Sequence, residues 1–422
     1  MAARQGAARA LTRHRGMTGT HIIAGAGQAG GWAAIAMRQA GFTGRILLIG
    51  EETWRPYERP PLSKAVLTDE AEPPITYFHA LERYAEQQIE LLLGSTISHI
   101  DPVARRVRLS DGQNLPYDKL LLTVGGQARH LPIPGGRHAL YLRTIEDARV
   151  IRARLGTARR VLCIGAGVIG LEIASSARAR GAEVTVLEAL PRAMGRSVSP
   201  EGAAFVEALH RAAGVALHFG LIADAIENAG ADGLRVTCRD GGEFTGDLVV
   251  AGVGMQRNLA LAEAAGLTSE GGIVVDEFGR TSAPDVYAAG DVTAFHHPLF
   301  DRRLRLESWR HAQNHGIAVA KAMCGDMTPY DDIPWFWTDQ HGVNLQVAGL
   351  PADAVHTIVR ANTGTNVFTA VHLAQDGSVI GVTAANNPRE IRAGQALIRS
   401  RRPIDAAKLA DPAVPLQSLI PR

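Results

Sequence analysis

Short apolar runs bounded by glycine recur along the chain, and several of them lead into stretches that are rich in alanine. Residues 21–24 and 45–49 flank one such stretch, roughly 28–40, and residues 160–164 and 184–188 flank another. Continuous apolar runs of about this length are typical of strands that are buried on both faces of a parallel sheet. The pattern therefore predicts two βαβ units of an α/β protein.

Each βαβ unit contains a glycine-rich turn of the form GxGxxG between its first strand and its helix. The glycines are Gly25, Gly27 and Gly30 in the first turn and Gly165, Gly167 and Gly170 in the second. Glycine allows a tight turn and lets the backbone approach a pyrophosphate, which lies at the N-terminus of the following helix. Two turns in this context predict that one chain binds two dinucleotides, and electrons usually pass between two such cofactors.

An acidic residue follows the second strand of each unit, where a dinucleotide ribose is held through its hydroxyls. In the first unit this residue is Glu51, with Glu52 as the alternative, and a solvated turn acid is the other interpretation. In the second unit it is Glu188. A carboxylate there repels a 2′-phosphate, which favours a dinucleotide that lacks this phosphate, and Arg192 and Arg196 could soften that preference.

The rest of the pattern predicts two nested domains followed by a third. Residues 117–126 and 247–254 read as similar strands that each end in a glycine turn, which indicates crossings between two domains. Strand and turn character resumes at 272–291. From about residue 330, clustered aromatics and alternating positions indicate a small α+β domain.

Composition narrows the class of protein. The 422 residues are 46% hydrophobic and 20% charged, as in globular proteins, and no apolar run approaches the roughly 18 residues that span a bilayer. The net charge of +2 depends on four arginines in residues 1–16, so nucleic-acid binding is not predicted. Residues 1–18 are predicted to be a disordered leader, either part of a transit peptide or a stretch preceding a true start at Met17.

The three cysteines, Cys163, Cys238 and Cys324, are far apart and form no CxxC pair. They indicate a reducing compartment, the cytoplasm, and predict neither a disulfide framework nor a metal site. The histidines have no ligand spacing either.

Four further motifs are specific when taken together. They are Arg59-Pro-Pro-Leu-Ser-Lys64, the end of the segment 272–291, Leu306-Glu-Ser-Trp309 and Pro334-Trp-Phe-Trp-Thr-Asp-Gln340. With them, from about residue 20 to the C-terminus, the chain resembles flavoprotein pyridine-nucleotide reductases, and more narrowly the NADH-dependent ferredoxin reductases of bacterial oxygenase systems. The resemblance implies two nested Rossmann-like domains of the glutathione-reductase type and a small α+β C-terminal domain. The implied parts are a leader (1–18), a discontinuous FAD-binding domain (19–120 and 250–329), an NAD-binding domain (121–249) and a C-terminal domain (330–422).

The resemblance also implies FAD at the first turn, NAD at the second, and a set of contacts to each. The implied FAD contacts are Gly25, Gly27, Ala29, Gly30, Glu51, Arg59, Lys64, Ile97, Arg129, Arg143, Asp291 and Trp309. The implied NAD contacts are Gly165, Gly167, Ile169, Gly170, Glu188 and Gly254. One departure is Thr123-Val124-Gly125, where the family usually has Ala-Thr-Gly, and the bulkier valine could reshape this crossing.

Three residues are implied to take part in the chemistry. Lys64 and Glu172 match positions that the family brings together beside flavin N5, where a lysine stabilises the negative charge left by hydride transfer. The alternative is an interface salt bridge of little consequence. Trp337 would shield the flavin or carry electrons, with core packing as the alternative.

A cluster of arginines predicts a basic rim that steers an acidic ferredoxin, with a merely solvated face as the alternative. The arginines are Arg302, Arg303, Arg305 and Arg310.

The implied activity is that of an NADH:ferredoxin oxidoreductase. Electrons would pass singly to a [2Fe–2S] ferredoxin of plant, adrenodoxin or Rieske type, and then to a dioxygenase or haem monooxygenase of aromatic hydrocarbon catabolism. Disulphide-reducing flavoproteins need a redox cysteine near the flavin, and no cysteine precedes Cys163. A reductase of rubredoxin or another carrier, an NADH oxidase and a redox-sensing binding protein similar to apoptosis-inducing factor stay open. A monomer or weak dimer is expected.

Overall fold

The computed structural model describes residues 18–360 and 366–421. The predicted leader lies outside these residues, apart from Thr18. The chain forms two compact units, each assembled from three segments. The first unit takes the described part of Met1–Glu58, with Ile75–Gln127 and Gln256–Asp332; the second takes Arg59–Pro74, Ala128–Met255 and the described part of Ile333–Arg422. The four-part division given above stays a prediction.

The first unit is built on a five-stranded parallel sheet. In spatial order its strands are Val286–Ala288, Lys119–Leu122, Thr20–Ala24, Arg45–Gly50 and Ile89–Leu93. Every residue of the strands Thr20–Ala24 and Arg45–Gly50 is buried except the first of each. This is the burial that continuous apolar runs predict.

The helix Gln28–Gln39 packs against the helix Trp309–Met323. Small side chains make the approach possible, since a Cβ on Gly316 would lie only 2.4 Å from the carbonyl oxygen of Ala29. The other helices of the unit are Leu81–Glu86 and Ala260–Ala264. Two three-stranded sheets complete it, one of Ile97–Asp101, Arg106–Leu109 and Asn114–Pro116, the other of Ile273–Val275, Thr293–His297 and Arg302–Leu304.

The second unit repeats the βαβ arrangement. Its parallel sheet has the strand order Val215–Phe219, Glu183–Glu188, Arg160–Ile164 and Leu248–Ala251. The helix Val168–Ala179 joins the two middle strands. The other helices near this sheet are Ala65–Thr68, Ile145–Leu155 and Pro200–Ala212, and an antiparallel sheet comprises Ala223–Asn228, Leu234–Cys238 and Glu243–Gly246. The short strands Gly126–Ala128 and Met255–Arg257 lie where the chain passes from a segment of one unit to a segment of the other.

The C-terminal part of the second unit is an antiparallel sheet with a helix. The strands, in spatial order, are Trp335–Gln340, Val343–Gly349, Val379–Ala385, Phe368–Leu373 and His356–Val359. The helix Pro388–Ser400 buries Ile391, Leu397 and Ile398, and a short helix Ala406–Ala410 follows it. The predicted α+β character of this region is confirmed.

Taken together, the two βαβ units and the C-terminal sheet confirm the predicted α/β class. In the part of the chain that the structure describes, no helix combines the length and the apolar character needed to cross a membrane.

Candidate active site

The first glycine turn is shaped by contacts within the chain. Gly25 has a φ of +111°, and its N–H donates to the carbonyl of Ile49 at 2.8 Å. A Cβ on Gly30 would lie 1.9 Å from the Gly25 carbonyl oxygen, so only glycine lets the helix begin this close to the turn. The Thr123 hydroxyl donates to the same carbonyl at 2.8 Å. The departure at Thr123-Val124-Gly125 thus supplies a hydroxyl that holds the turn in place.

Gly27 differs from these glycines because no contact among the described residues requires a glycine there. Its φ is −85°, which any residue adopts, and a Cβ there would meet no atom within 4 Å. The open space lies at the N-terminus of the helix Gln28–Gln39, where unpaired N–H groups and the helix dipole favour an anion. A glycine that keeps this space clear fits the pyrophosphate of a dinucleotide.

The second glycine turn has the same geometry. Gly165 has a φ of +103°, and a Cβ on Gly170 would lie 2.0 Å from the Gly165 carbonyl oxygen. Gly167 has a φ of −77°, and the nearest atom to its added Cβ would be the Gly252 carbonyl oxygen at 3.8 Å. In both turns, packing within the chain therefore requires the first and third glycines, and the middle glycine leaves open space at a helix N-terminus.

The acids that follow the second strands are held differently in the two units. Both oxygens of Glu188 accept backbone N–H bonds, from Ala166 at 2.6 Å and from Leu190 at 2.8 Å. A carboxylate has about four acceptor positions, so capacity remains for ribose hydroxyls. Glu51 is exposed, whereas its neighbour Glu52 accepts the Tyr57 hydroxyl at 2.6 Å. The ribose roles of Glu51 and Glu188 stay predictions.

Three other implied FAD contacts lie in the first unit, namely Ile97, Asp291 and Trp309. Ile97 begins a strand and is 9% exposed, and Asp291 lies in the short 3₁₀ segment Gly290–Val292. The Asp291 carbonyl accepts from Arg257 at 2.7 Å, and Arg257 also pairs with Glu307 at 2.6 Å. Sequence reasoning did not single out Arg257. No local signal marks it, whereas Glu307 lies within a quoted motif.

Trp309 is the first residue of the helix Trp309–Met323, which Ser308 caps by accepting from the His311 N–H at 3.3 Å. The indole N–H of Trp309 donates to the carboxylate of Glu58. Burial raises the pKa of Glu58, and the indole hydrogen bond opposes that rise. Glu58 immediately precedes the motif 59–64 but was not predicted.

The arginines implied to contact FAD lie in the second unit. The Arg59 guanidinium donates to the backbone carbonyl of Arg143, whose own N–H donates to Asp147 at 3.0 Å. The Arg129 N–H donates to the carbonyl of Gly254 at 3.0 Å. Arg129, implied for FAD, and Gly254, implied for NAD, are thus direct neighbours. Ile169, in the first turn of the helix Val168–Ala179, is 41% exposed.

Glu172 is the centre of the most densely bonded group of implied residues. It lies on the helix Val168–Ala179 and is only 2% exposed. Its carboxylate accepts from Lys64 at 2.8 Å, from the Ser63 hydroxyl and from the Thr338 hydroxyl at 2.7 Å. In addition, the Ser176 hydroxyl donates to the Ser63 carbonyl at 2.7 Å. Two quoted motifs, residues 59–64 and 334–340, therefore meet at one buried carboxylate on the second nucleotide helix.

The burial of Glu172 distinguishes this ion pair from a surface salt bridge. A buried carboxylate is costly unless charge and hydrogen bonds compensate it, and three donors do so here. The side chain of Lys64 is 23% exposed and has one further acceptor, the Pro60 carbonyl at 3.4 Å. Its ammonium is thus fixed on one side and open on the other. Ser63 and Thr338 lie within the motifs 59–64 and 334–340, but the sequence alone predicts no role for either.

Trp337 lies on the strand Trp335–Gln340, next to Thr338. Successive side chains of a strand point to opposite faces, so Trp337 and Thr338 face in opposite directions. The rings of Trp335 and Trp337 stack with centroids 5.3 Å apart, and the Trp337 indole donates to Asp339 at 3.0 Å. Trp337 is half-buried, and its electron-transfer role stays a prediction.

The arginines of the predicted basic rim are partly neutralised. Arg303 forms an ion pair with Glu270, and Arg310 lies 3.6 Å from Asp332. Arg305 donates to the Glu270 carbonyl at 3.3 Å. The rim therefore carries less net positive charge than four free arginines would.

The cysteines are placed in the interior of the two units. Cys163 and Cys238 are buried and Cys324 is half-buried, and all three are free thiols. Burial raises the pKa of the Cys163 thiol to about 12 and that of Cys324 to about 11, so neither is a thiolate at neutral pH. Across residues 18–360 and 366–421, no cluster of three or more ligating side chains could hold a metal ion.

Two nucleotide cradles and a buried lysine–glutamate pair define an oxidoreductase that uses FAD and NAD(H). The chain belongs to the pyridine nucleotide-disulphide oxidoreductase family, whose model matches residues 19–316, and the model of the reductase C-terminal domain matches residues 335–420. These matches confirm the predicted family and fold.

Known proteins resemble the chain over nearly its whole length. It is 38% identical to putidaredoxin reductase CamA of Pseudomonas putida, over 94% of this chain and 96% of that protein. It is 39% identical to the ferredoxin–NAD(+) reductase component of the anthranilate 1,2-dioxygenase system of Burkholderia cepacia, over 94% and 98%. A ferredoxin reductase of the CYP199A2 system from Rhodopseudomonas palustris has a similar crystal structure, with a TM-score of 0.91 and 37% identity over 95% and 100% of the chains. The reductase in a covalent putidaredoxin reductase–putidaredoxin complex gives a TM-score of 0.90 and 38% identity over 95% and 98%.

Proposed function

We propose that the chain is a cytoplasmic NADH:ferredoxin oxidoreductase that supplies electrons to an oxygenase of aromatic catabolism. The observation that carries the proposal is the meeting of residues 59–64 and 334–340 with Glu172. These are the segments by which the chain resembles ferredoxin reductases, and they converge on one carboxylate. The names of its relatives, which include reductase components of dioxygenase systems, support the same activity.

The two glycine turns supply the nucleotide sites. Gly27 and Gly167 keep open the space at two helix N-termini, and we assign the first to FAD and the second to NADH. Glu188 orients the adenosine ribose of NADH through its remaining acceptor positions and disfavours the 2′-phosphate of NADPH. Gly254 and Ile169 complete the assignment for NADH.

Lys64 and Glu172 serve the hydride step. FAD held at the first glycine turn would supply a two-electron acceptor for the hydride of NADH, with NAD⁺ as the product, and a donor of single electrons to two one-electron acceptors. We assign Lys64 to stabilising the negative charge that develops during this transfer, because a fixed ammonium needs no reorganisation. Glu172 holds that ammonium at 2.8 Å and does not move, because Ser63 and Thr338 also bind it.

The acceptor in this proposal is a [2Fe–2S] ferredoxin. Trp337, on the face of its strand opposite to Thr338, is assigned to the electron path. The exposed arginines Arg302, Arg303 and Arg305 are assigned to steering an acidic partner. Because Arg303 is ion-paired, the expected salt dependence is moderate.

The test is NADH-driven reduction of cytochrome c by the FAD-loaded protein, with and without a [2Fe–2S] ferredoxin encoded near its gene. The proposal expects strong stimulation by the ferredoxin, declining as salt rises, and much weaker activity with NADPH. Measuring oxygen uptake in the same assay separates the alternatives.

Two outcomes would contradict the proposal. Rapid NADH oxidation that consumes oxygen and ignores ferredoxin indicates an NADH oxidase. Slow oxidation with every acceptor, rubredoxin included, indicates a redox-sensing protein rather than a reductase.

A further inference from the structure

A chain of hydrogen bonds leads from Glu172 away from Lys64 through four further side chains. The Thr338 hydroxyl donates to Glu172 at 2.7 Å, and the Gln340 amide donates to the Thr338 oxygen at 2.9 Å. The Gln340 oxygen lies 2.7 Å from Nε2 of His210, and Nδ1 of His210 lies 3.1 Å from Nε2 of His341. Sequence reasoning assigned nothing to any of these four residues.

In every hydrogen bond of this path, the donor is the residue farther from Glu172 and the acceptor is the residue nearer to it. A carboxylate only accepts, so Thr338 uses its one proton on Glu172 and its oxygen must accept from the amide of Gln340. The amide oxygen of Gln340 then faces His210, so Nε2 of His210 carries a proton and donates it. Burial lowers the pKa of His210 to about 4, so the ring is neutral at pH 7 and its Nδ1 accepts from His341.

The members of the chain are almost wholly removed from solvent. Thr338, Gln340 and His210 are exposed by 1%, 3% and 0%. They come from the strand Trp335–Gln340 and the helix Pro200–Ala212, whereas Glu172 lies on a third element. An ordered polar path through an interior is costly unless each group is paired, and here each link is made.

The backbone geometry of His341 is independent evidence that its side chain belongs to the hydrogen-bonded path. It has a φ of +50° and is followed by Gly342 with a φ of +74°, the geometry of a two-residue hairpin turn that favours Asn-Gly. Its N–H donates to the Ser175 hydroxyl at 2.8 Å, on the same helix as Glu172. A histidine in this strained position is explained by its bond to His210.

We propose that His210 and Gln340 are positioning residues that hold the carboxylate of Glu172 in the orientation from which it fixes Lys64 for hydride transfer. The inference rests on the proposed function. Oε1 of Glu172 takes both Lys64 and Thr338, whereas Oε2 takes Ser63, so loss of the Thr338 bond leaves Oε1 held by Lys64 alone and lets the carboxylate turn about its bond to Ser63, carrying the ammonium with it. The amide of Gln340 does not pass protons readily, so the path orients Glu172 rather than conducting protons to it.

The kinetic test uses stopped-flow reduction of the FAD-loaded protein by NADH. His210→Phe removes the donor, Gln340→Leu breaks the path, and His210→Gln keeps an amide N–H near the position of Nε2. His372→Phe is the matched control, because His372 is also 0% exposed and its ring bonds two hydroxyls, Thr357 at 3.2 Å and Thr383 at 3.0 Å. None of the bonds of His372 reaches Glu172.

We expect the variants to change the rate of flavin reduction but not the affinity for NADH. His210→Phe and Gln340→Leu should slow the limiting rate of flavin reduction about tenfold with an unchanged dissociation constant for NADH. His210→Gln and His372→Phe should remain within about twofold of the parent rate. Parent rates in His210→Phe and Gln340→Leu, or an equal loss in the control, would overturn the inference.

A second readout does not depend on activity. In protein labelled with ¹⁵N-histidine, His210, identified from its loss in His210→Gln, should carry its proton on Nε2 and stay neutral down to about pH 5. A proton on Nδ1 or titration near pH 6.5 would overturn the inference even if His210→Phe fails to fold. If NADH does not reduce the parent protein, the proposed function itself fails, and the inference falls with it.

Discussion

Thr338 donates its hydroxyl proton to Glu172 across 2.7 Å, although the two residues are 166 positions apart in the sequence. The bond joins the C-terminal sheet to the helix of the second glycine turn. Because Glu172 also holds Lys64, the position of the ammonium depends on a residue of the C-terminal sheet. Several measurable consequences arise from this arrangement and from the two glycine turns.

Lys64→Met should slow flavin reduction by NADH about a hundredfold while changing NADH affinity only a few-fold. The neutral side chain keeps much of the volume of lysine but offers no charge to the developing anion. Stopped-flow absorbance at saturating NADH measures the rate. Lys408→Met, at an exposed lysine of the same unit, is the control. An unchanged reduction rate in Lys64→Met would remove its catalytic role.

Gly27→Ala should weaken FAD binding about tenfold and leave the stability of the cofactor-free protein within about 0.5 kcal/mol of the parent. The added methyl meets no protein atom but fills the space at the helix N-terminus. Gly30→Ala should instead destabilise the protein itself by about 1–3 kcal/mol, because its Cβ would collide with the Gly25 carbonyl. FAD titration and thermal unfolding separate the two effects, and equal effects of both changes would contradict this account.

Glu188→Gln should reduce the preference for NADH over NADPH about tenfold, as judged by the ratio of kcat/KM values. Neutralising the carboxylate removes its repulsion of a 2′-phosphate. The affinity for NADH should also fall, because the Ala166 and Leu190 N–H groups bond to different oxygens of Glu188, and one of these oxygens becomes an NH2 group that cannot accept. Glu183→Gln, at the exposed start of the same strand, is the control. A ratio that does not move would assign cofactor choice elsewhere.

The protein should lose stability between pH 6.5 and pH 4 through its buried histidines. Burial lowers the pKa of His372 from 6.5 to about 4, so in this range the unfolded chain binds a proton that the folded chain does not. The stability due to neutral His372 is present above pH 6.5 and is lost as the pH falls, by at most about 3 kcal/mol at pH 4.

His372→Gln should therefore reduce the fall in unfolding temperature between pH 7 and pH 4.5. The amide can still bond Thr357 and Thr383 but does not titrate. His99→Gln, at an exposed histidine, provides the comparison and should leave the fall unchanged. An identical fall in His372→Gln and the parent would show that this residue is not responsible.

The sequence predicts the local parts of the site well because their causes are local. The spacing of Gly25, Gly27 and Gly30 after an apolar run predicts the strand, turn and helix that the structure shows, to within a residue at each strand end. Lys64 and Glu172 were paired through family resemblance, and the structure brings them to 2.8 Å. Spacing alone would not have paired them.

The rest of the site depends on contacts between distant segments. His210 lies in a helix and His341 in a hairpin turn, and neither position differs in sequence from an ordinary core or surface histidine. Arg257 contacts Asp291 only because separate parts of the first unit fold together. The one local clue that could have been used is the placing of Thr338 and Gln340 two residues apart, which puts both on one face of a strand.

The alternation of the strand Trp335–Gln340 has a consequence for engineering. One face carries Thr338 and Gln340 toward the buried carboxylate, and the other carries the stacked Trp335 and Trp337. A C-terminal domain grafted from another reductase to change the redox partner would therefore also replace part of the scaffold behind the proposed hydride site. A chimera with an exchanged C-terminal domain will therefore keep this scaffold only if the incoming strand has a hydroxyl at the position of Thr338 and an amide at the position of Gln340.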